Sequence, residues 1–341
     1  MRFGPVPVAE AEGALLAHSI RVGGRRLRKG LMLDADHLAQ LAAAEIAEVV
    51  VARLDPGDLH ENEAARRLAA ALAPDPAAAG LRLTEAFTGR VNLLAAGPGV
   101  ARLDAGALVR FNTVHPMITV ATVPPFQQMA PGGMVATVKV ISYAVAETDV
   151  AAACDAACGA VALSAPVIRS AGLVITEIPG GPTGDKGRQA IENRLRALGA
   201  ELADCRVVPH DSAALARALA GIGGDLVLIL TGSATSDPDD VAPAALRAAG
   251  GRVERYGMPV DPGNLLFLGD LGDLGDLGAR PVIGLPGSVR SPKPSGADWV
   301  LSRVVCGIRV SAVDIAAMGV GGLLKEIPTR PQPRAAPATK D

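Results

Sequence analysis

The second half of the chain predicts a three-layer α/β/α domain with a mostly parallel sheet, preceded by a mixed, partly β-rich region. Three observations carry this. From residue 170 onward, apolar runs such as Leu226-Val227-Leu228-Ile229-Leu230 alternate with longer helical segments. Those runs are apolar at every position, as strands covered on both faces must be. Between residues 80 and 147, by contrast, shorter alternating runs are broken by turn glycines, the pattern of half-exposed strands.

Each element follows from local chemistry. Residues 5–17 read as a short strand or turn and a small helix, and Lys29-Gly30 as a turn. Asp34 is a plausible N-cap for a helix over 34–44, and a strand runs through Val49-Val50-Val51. After Pro56-Gly57 comes a helix with Leu68 and Leu72 on one face and Ala69 beside them. Residues 148–166 read as a helix joining the two halves. Beyond it, strands are predicted over 172–177, 203–208, 225–230, 253–256 and 282–285, and helices over 187–198, 211–220, 239–249 and 297–305. The expected organisation is a mixed region over 1–160, an α/β/α domain over 165–325 and a disordered tail over 326–341. The run LGDLGDLGDLG, residues 268–278, lacks the ligand order of a calcium loop at Asp270, Asp273 and Asp276. It reads as a surface insertion between two strands.

Composition narrows the function. Lys and Arg number 33 against 35 Asp and Glu, a formal net charge of -2, which excludes a strongly basic nucleic-acid footprint. With two Tyr and one Trp the chain has little with which to stack bases or anchor at a membrane. No long uncharged apolar run predicts a membrane span. The N-terminus shows no basic-then-apolar signal, and the cysteines Cys154, Cys158, Cys205 and Cys306 lack zinc-like spacing. The expectation is a cytoplasmic protein.

In α/β sheets of this kind ligands bind beyond the carboxyl ends of the strands, which brings four loops into view. In 177–186, the Gly180–Gly184 turn either lets amides approach an anion or is followed by Asp185 as a simple helix cap. In 231–240, Thr231, Gly232, Ser233, Thr235 and Ser236 form a rim of small donors. Asp237, Asp239 and Asp240 follow, too crowded for all three to cap one helix; two are left to face solvent or to coordinate. The turns Pro262-Gly263-Asn264 and Pro286-Gly287-Ser288 combine rigid backbone with room for close approach. Arg290 and Lys293 supply positive charge nearby. His60 begins no zinc-protease motif, because Ala64 stands where a second histidine is required, and His115 and His210 are isolated. Together the four turns predict a pocket for a polar, phosphorylated ligand.

In order and spacing these motifs resemble the molybdopterin-binding proteins of molybdenum-cofactor biosynthesis, in a divergent branch related to the molybdopterin molybdenumtransferases. Thr231-Gly232, Asp237-Pro238-Asp239-Asp240, Pro262-Gly263 and Leu285-Pro286-Gly287 carry the likeness, with Asp185 at an acidic position opposite the glycine turn. In the N-terminal part Lys29-Gly30 and His60-Glu61-Asn62-Glu63-Ala64-Ala65 carry it. The chain departs from the family at Ser233 for Gly, Thr235 for Ser, Ser288 for Asn and Asn264 for Lys, and Thr176-Glu177 stands where Thr-Gly is usual. The resemblance implies molybdopterin or molybdenum cofactor as ligand, with Mg2+ on Asp237 and Asp239. It implies catalytic roles for Asp185, Asp237 and Asp239. Cofactor contacts would come from Thr231, Gly232, Ser233, Thr235, Pro262, Gly263, Pro286, Gly287 and Ser288. Two functions follow: Mg-assisted molybdate insertion into molybdopterin, supplied in adenylylated form, or a non-catalytic carrier serving a nucleotidyltransferase or an apoenzyme. Homo-oligomers are expected. A third reading is another phosphate-ligand enzyme, such as a nucleotide pyrophosphatase, on the same fold.

Overall fold

The computed structural model describes residues 1–272 and 279–324. The chain divides into two compact units, Met1–Gly97 with Ala101–Ser164, and Pro98–Val100 with the residues from Ala165 onward.

In the first unit, Arg2–Pro7 and Leu15–Leu16 flank Glu48–Arg53 as antiparallel neighbours. The helix Ala35–Ala43 is capped by Asp34, whose side chain accepts from His37 N. Leu16, Leu33, Leu41 and Val51 close a small core there. A second core forms where the helix Glu61–Leu72 presents Ala64, Ala65, Leu68, Ala69 and Leu72, all buried. They pack with Leu93, Phe111 and Val138. The sheet beneath has the order Ile118–Thr122, Met134–Val140, Arg90–Ala95, Leu81–Leu83. The single joining helix expected over 148–166 is shorter. It spans Glu147–Ala156, and after Gly159 at φ +70° the chain becomes a strand, Val161–Ser164. The helix ends at its C-cap Ala157, the left-handed Gly159 turns the chain, and the β-branched Val161 starts the strand.

The second unit is one six-stranded sheet between two helical layers. Its strands are β1 (Ser170–Glu177), β2 (Glu201–Pro209), β3 (Leu226–Leu230), β4 (Arg252–Tyr256), β5 (Phe267–Leu271) and β6 (Arg280–Leu285). Its helices are α1 (Gly184–Ala197), α2 (Ser212–Ala220), α3 (Val241–Ala248), α4 (Gly296–Val305) and α5 (Ala312–Ala317). The sheet order is β2-β1-β3-β6-β5-β4. β2, β1, β3 and β6 pair in parallel, whereas β5 is antiparallel to both β6 and β4. The sheet is therefore mixed, with β5 alone reversed.

Alternation along the central strands explains their unbroken apolar sequence. Leu173, Ile175, Leu228 and Leu230 pack against Ile191 and Leu195 of α1 and Val300 and Leu301 of α4. Val174, Val227 and Ile229 face the other way, onto Leu215 and Leu219 of α2 and Ala245 and Leu246 of α3. Each such side chain contributes roughly 1.5–3 kcal/mol by leaving water.

β5 was not expected from the sequence. Its residues open the Leu-Gly-Asp repeat read above as an insertion, yet Leu268 and Leu271 are buried strand residues. Asp270 is paired with Arg252 at 3.2 Å. Asp273, Asp276 and the predicted disordered tail lie outside the described residues.

Candidate functional site

Because β5 alone is reversed, the loops after β1, β2, β3, β4 and β6 all leave the same end of the sheet, and Thr176 ties three of them together. This residue, next to last in β1, is fully buried. Its Oγ1 accepts from Gly232 N at 3.0 Å and lies 2.8 Å from His210 Nδ1. The neighbouring Glu177 works outward: its carboxylate accepts from Gly184 N at 2.7 Å, and its carbonyl accepts from His210 N at 3.0 Å. The carboxylate that satisfies the start of α1 thus comes from the preceding strand. Asp185, one of the expected caps, is instead an exposed member of the helix's first turn, and the N-cap Thr183 makes no side-chain bond. The charge of Asp185 still lies at the positive end of the helix.

The 231–240 loop packs flush on β1. A Cβ at Gly232 would lie 2.7 Å from the Thr176 carbonyl oxygen, so only glycine fits. Thr231 and Thr235 are buried rather than displayed on the rim. Thr231 Oγ1 donates to the Ser233 carbonyl at 2.6 Å and lies 3.4 Å from Thr235 Oγ1. Tyr256 donates its hydroxyl to the Thr235 carbonyl at 2.8 Å. Burial, and then the charges of Asp237 and Asp240, push the Tyr256 phenol above its ordinary pKa. Ser233 and Ser236 remain exposed.

The three aspartates divide their work. Asp240 caps α3, accepting from Val241 N at 2.7 Å and from Ser236 N at 2.9 Å. Asp237 accepts from Asp239 N at 2.8 Å, and Asp239, 88% exposed, pairs with Arg247 at 3.0 Å. No group of three or more His, Cys, Asp or Glu side chains that could hold a metal occurs among the described residues. A Mg2+ on Asp237 or Asp239 would have to complete its shell with ligand phosphate and water, as this ion commonly does.

The other two turns differ. Pro262-Gly263 is committed to structure: the Pro262 carbonyl accepts from Gly296 N at 2.8 Å, and a Cβ at Gly263 would lie 2.9 Å from that same nitrogen. The turn after β6 is open. Pro286 leads into a single 3-10 turn, Gly287–Arg290, in which Gly287 is exposed and has empty space beside it. Ser288 Oγ and Arg290 Nη1 are buried with no hydrogen-bond partner among the described residues. Arg290 Nη2 donates to the Thr231 carbonyl at 3.0 Å. Its guanidinium packs against α1, where a Cβ at Gly187 would lie 2.7 Å from Nη1. Burial lowers the Arg290 pKa, and the charge of Glu177 opposes that shift. The turn is clamped by Arg194 of α1, which donates to the Val289 carbonyl at 2.8 Å and the Ser291 carbonyl at 2.9 Å and pairs with Asp298 at 2.6 Å.

Unsatisfied buried donors are rare in native proteins, and this one short turn holds two. Residues 173–302, from within β1 into α4, match the family model described as "Probable molybdopterin binding domain". The second unit is homologous to molybdopterin-binding domains. A second model, described as a domain of unknown function, matches residues 5–53. No curated protein matches the chain. Among solved structures the chain is similar to a molybdenum cofactor biosynthesis protein from Pyrococcus furiosus, at 14% identity and a TM-score of 0.24. That match covers 91% of this chain and 66% of the other.

Sequence reading missed three parts of this molybdopterin-binding-like domain: the Thr176–His210 contact, the Glu177 cap, and the seat of Arg290 on Gly187. Only His210 left a signal, a polar side chain at the carboxyl end of a strand.

Proposed function

We propose that the second unit binds molybdopterin or the molybdenum cofactor at the carboxyl end of its sheet, with an anionic oxygen of the ligand on Ser288 and Arg290. The observation carrying this is the pair of buried, unpartnered donors in the Gly287–Arg290 turn. A guanidinium that has lost water and gained only one carbonyl is satisfied by a charged oxygen better than by any neutral group. The open face of Gly287 leaves room for the ligand's approach. The homology of residues 173–302 supports the identity of the ligand.

A second reading, molybdate insertion assisted by Mg2+, is favoured by the exposed carboxylates Asp185, Asp237 and Asp239 beside this turn's neighbours. In it those side chains would hold the cation or the oxyanion, and the cation would polarise the phosphate. The alternative remains a carrier without turnover.

Binding of molybdopterin, measured by fluorescence quenching or calorimetry, tests the first proposal. Arg290→Met together with Ser288→Ala is expected to weaken binding at least tenfold, the value of one charge-assisted hydrogen bond. Unchanged affinity overturns the assignment. Formation of cofactor from adenylylated molybdopterin, molybdate and Mg2+ tests the second, and full turnover in Asp237→Ala and Asp239→Ala would remove both from the chemistry.

A further inference from the structure

We propose that His210 is a ligand-binding residue of this rim, held by Thr176 as the neutral tautomer whose Nε2–H donates to an acceptor oxygen of the bound molecule. The inference rests on reading the rim as a molybdopterin site.

The hydrogen-bond inventory of Thr176 carries it. A threonine hydroxyl has one proton to give and two lone pairs. The Gly232 amide donates to Thr176 Oγ1 at 3.0 Å and occupies one lone pair. The side chain is wholly buried, and its one other hydrogen-bond partner among the described residues is His210 Nδ1 at 2.8 Å. If Nδ1 carried the proton, the buried hydroxyl hydrogen would have no acceptor, which folded proteins avoid. The hydroxyl therefore donates to Nδ1, and the ring proton is left on Nε2. The backbone of His210 is fixed as well, its amide donating to the Glu177 carbonyl at 3.0 Å.

His210 is half-buried at the carboxyl end of β2, the edge from which the other rim loops leave. Thr176 thus positions two groups at once, the histidine and the Gly232 turn. The acceptor can be a phosphate oxygen or a carbonyl of the pterin, since both present the same lone pairs to an imidazole N–H.

Two-bond 1H–15N spectra of histidine-labelled protein read the tautomer, with His210→Gln assigning the resonances. An Nε2–H pattern for His210 is expected, with loss of the fixed pattern in Thr176→Val. An Nδ1–H tautomer or an imidazolium at neutral pH overturns the proposal. Titration then separates the two oxygen sources. A shift of the Nε2 resonance with inorganic phosphate assigns the acceptor to phosphate, and a shift with molybdopterin that persists with its dephosphorylated form assigns it to the pterin. No shift with either overturns the donor role. His210→Phe is expected to bind molybdopterin about tenfold more weakly, and His210→Gln, which keeps an N–H, within about threefold of wild type. Wild-type affinity in His210→Phe refutes the donor role alone. No binding by the wild type refutes it together with the site reading.

Discussion

At the scale of single residues, several carboxylates in this domain satisfy backbone amides. Asp240, Asp211 and Glu177 each accept from a helix-start amide. Asp314 completes a capping box with Ser311 at the start of α5. The Asp314 pKa is lowered, first by the Ser311 hydroxyl and then by the Ser311 amide. A carboxyl lowered in the folded state stabilises above its unfolded pKa, about 3.9, and loses that contribution as pH falls through the folded value. Ser311→Ala should therefore cost about 1 kcal/mol at pH 7, and less once the pH drops below about 4. Urea unfolding followed at Trp299, the only tryptophan, measures both. The Asp240 cap was legible in sequence, because a cap acts within four residues of its own position. The Thr176–His210 contact was not, since its partners stand 34 positions apart and meet only when β1 and β2 pair.

Among the elements, periodicity revealed what it physically controls. The apolar centre of β1, the all-apolar β3 and the amphipathic α2, α3 and α4 are readable because burial on one or two faces sets their pattern. β5 escaped because its five residues merge into a Leu-Gly-Asp repeat. Gly269 in it is required by packing: a Cβ there would lie 2.2 Å from the Arg252 carbonyl oxygen. The clamp between α1 and the turn after β6 was equally hidden, as Arg194 reads as an ordinary helix charge. Its side chain is only 12% exposed and holds two carbonyls of that turn together with Asp298. Replacing it with Met strands those acceptors, and we expect a loss of about 3 kcal/mol. We also expect weaker molybdopterin binding, since Ser288 and Arg290 lose their support. Stability and affinity measured on the same variant check both.

For the whole second unit, strand direction decides which end of the sheet can be altered safely. The groups proposed to hold ligand gather where five strands end, while the connection from β5 to β6 starts and finishes at the other end. There Leu271 pairs with Arg280, and Arg280 donates to the carbonyls of Ile222 and Gly224 ahead of β3. One strand length, roughly 20 Å at 3.3 Å per residue over β6, separates the described ends of that connection from Ser288. A short peptide tag inserted between residues 272 and 279 should leave molybdopterin affinity within about twofold of wild type, as binding to the tagged protein would show. The reversed strand thus gives the experimenter a handle: a place for a dye, an affinity tag or a surface anchor at the end of the sheet away from the proposed site.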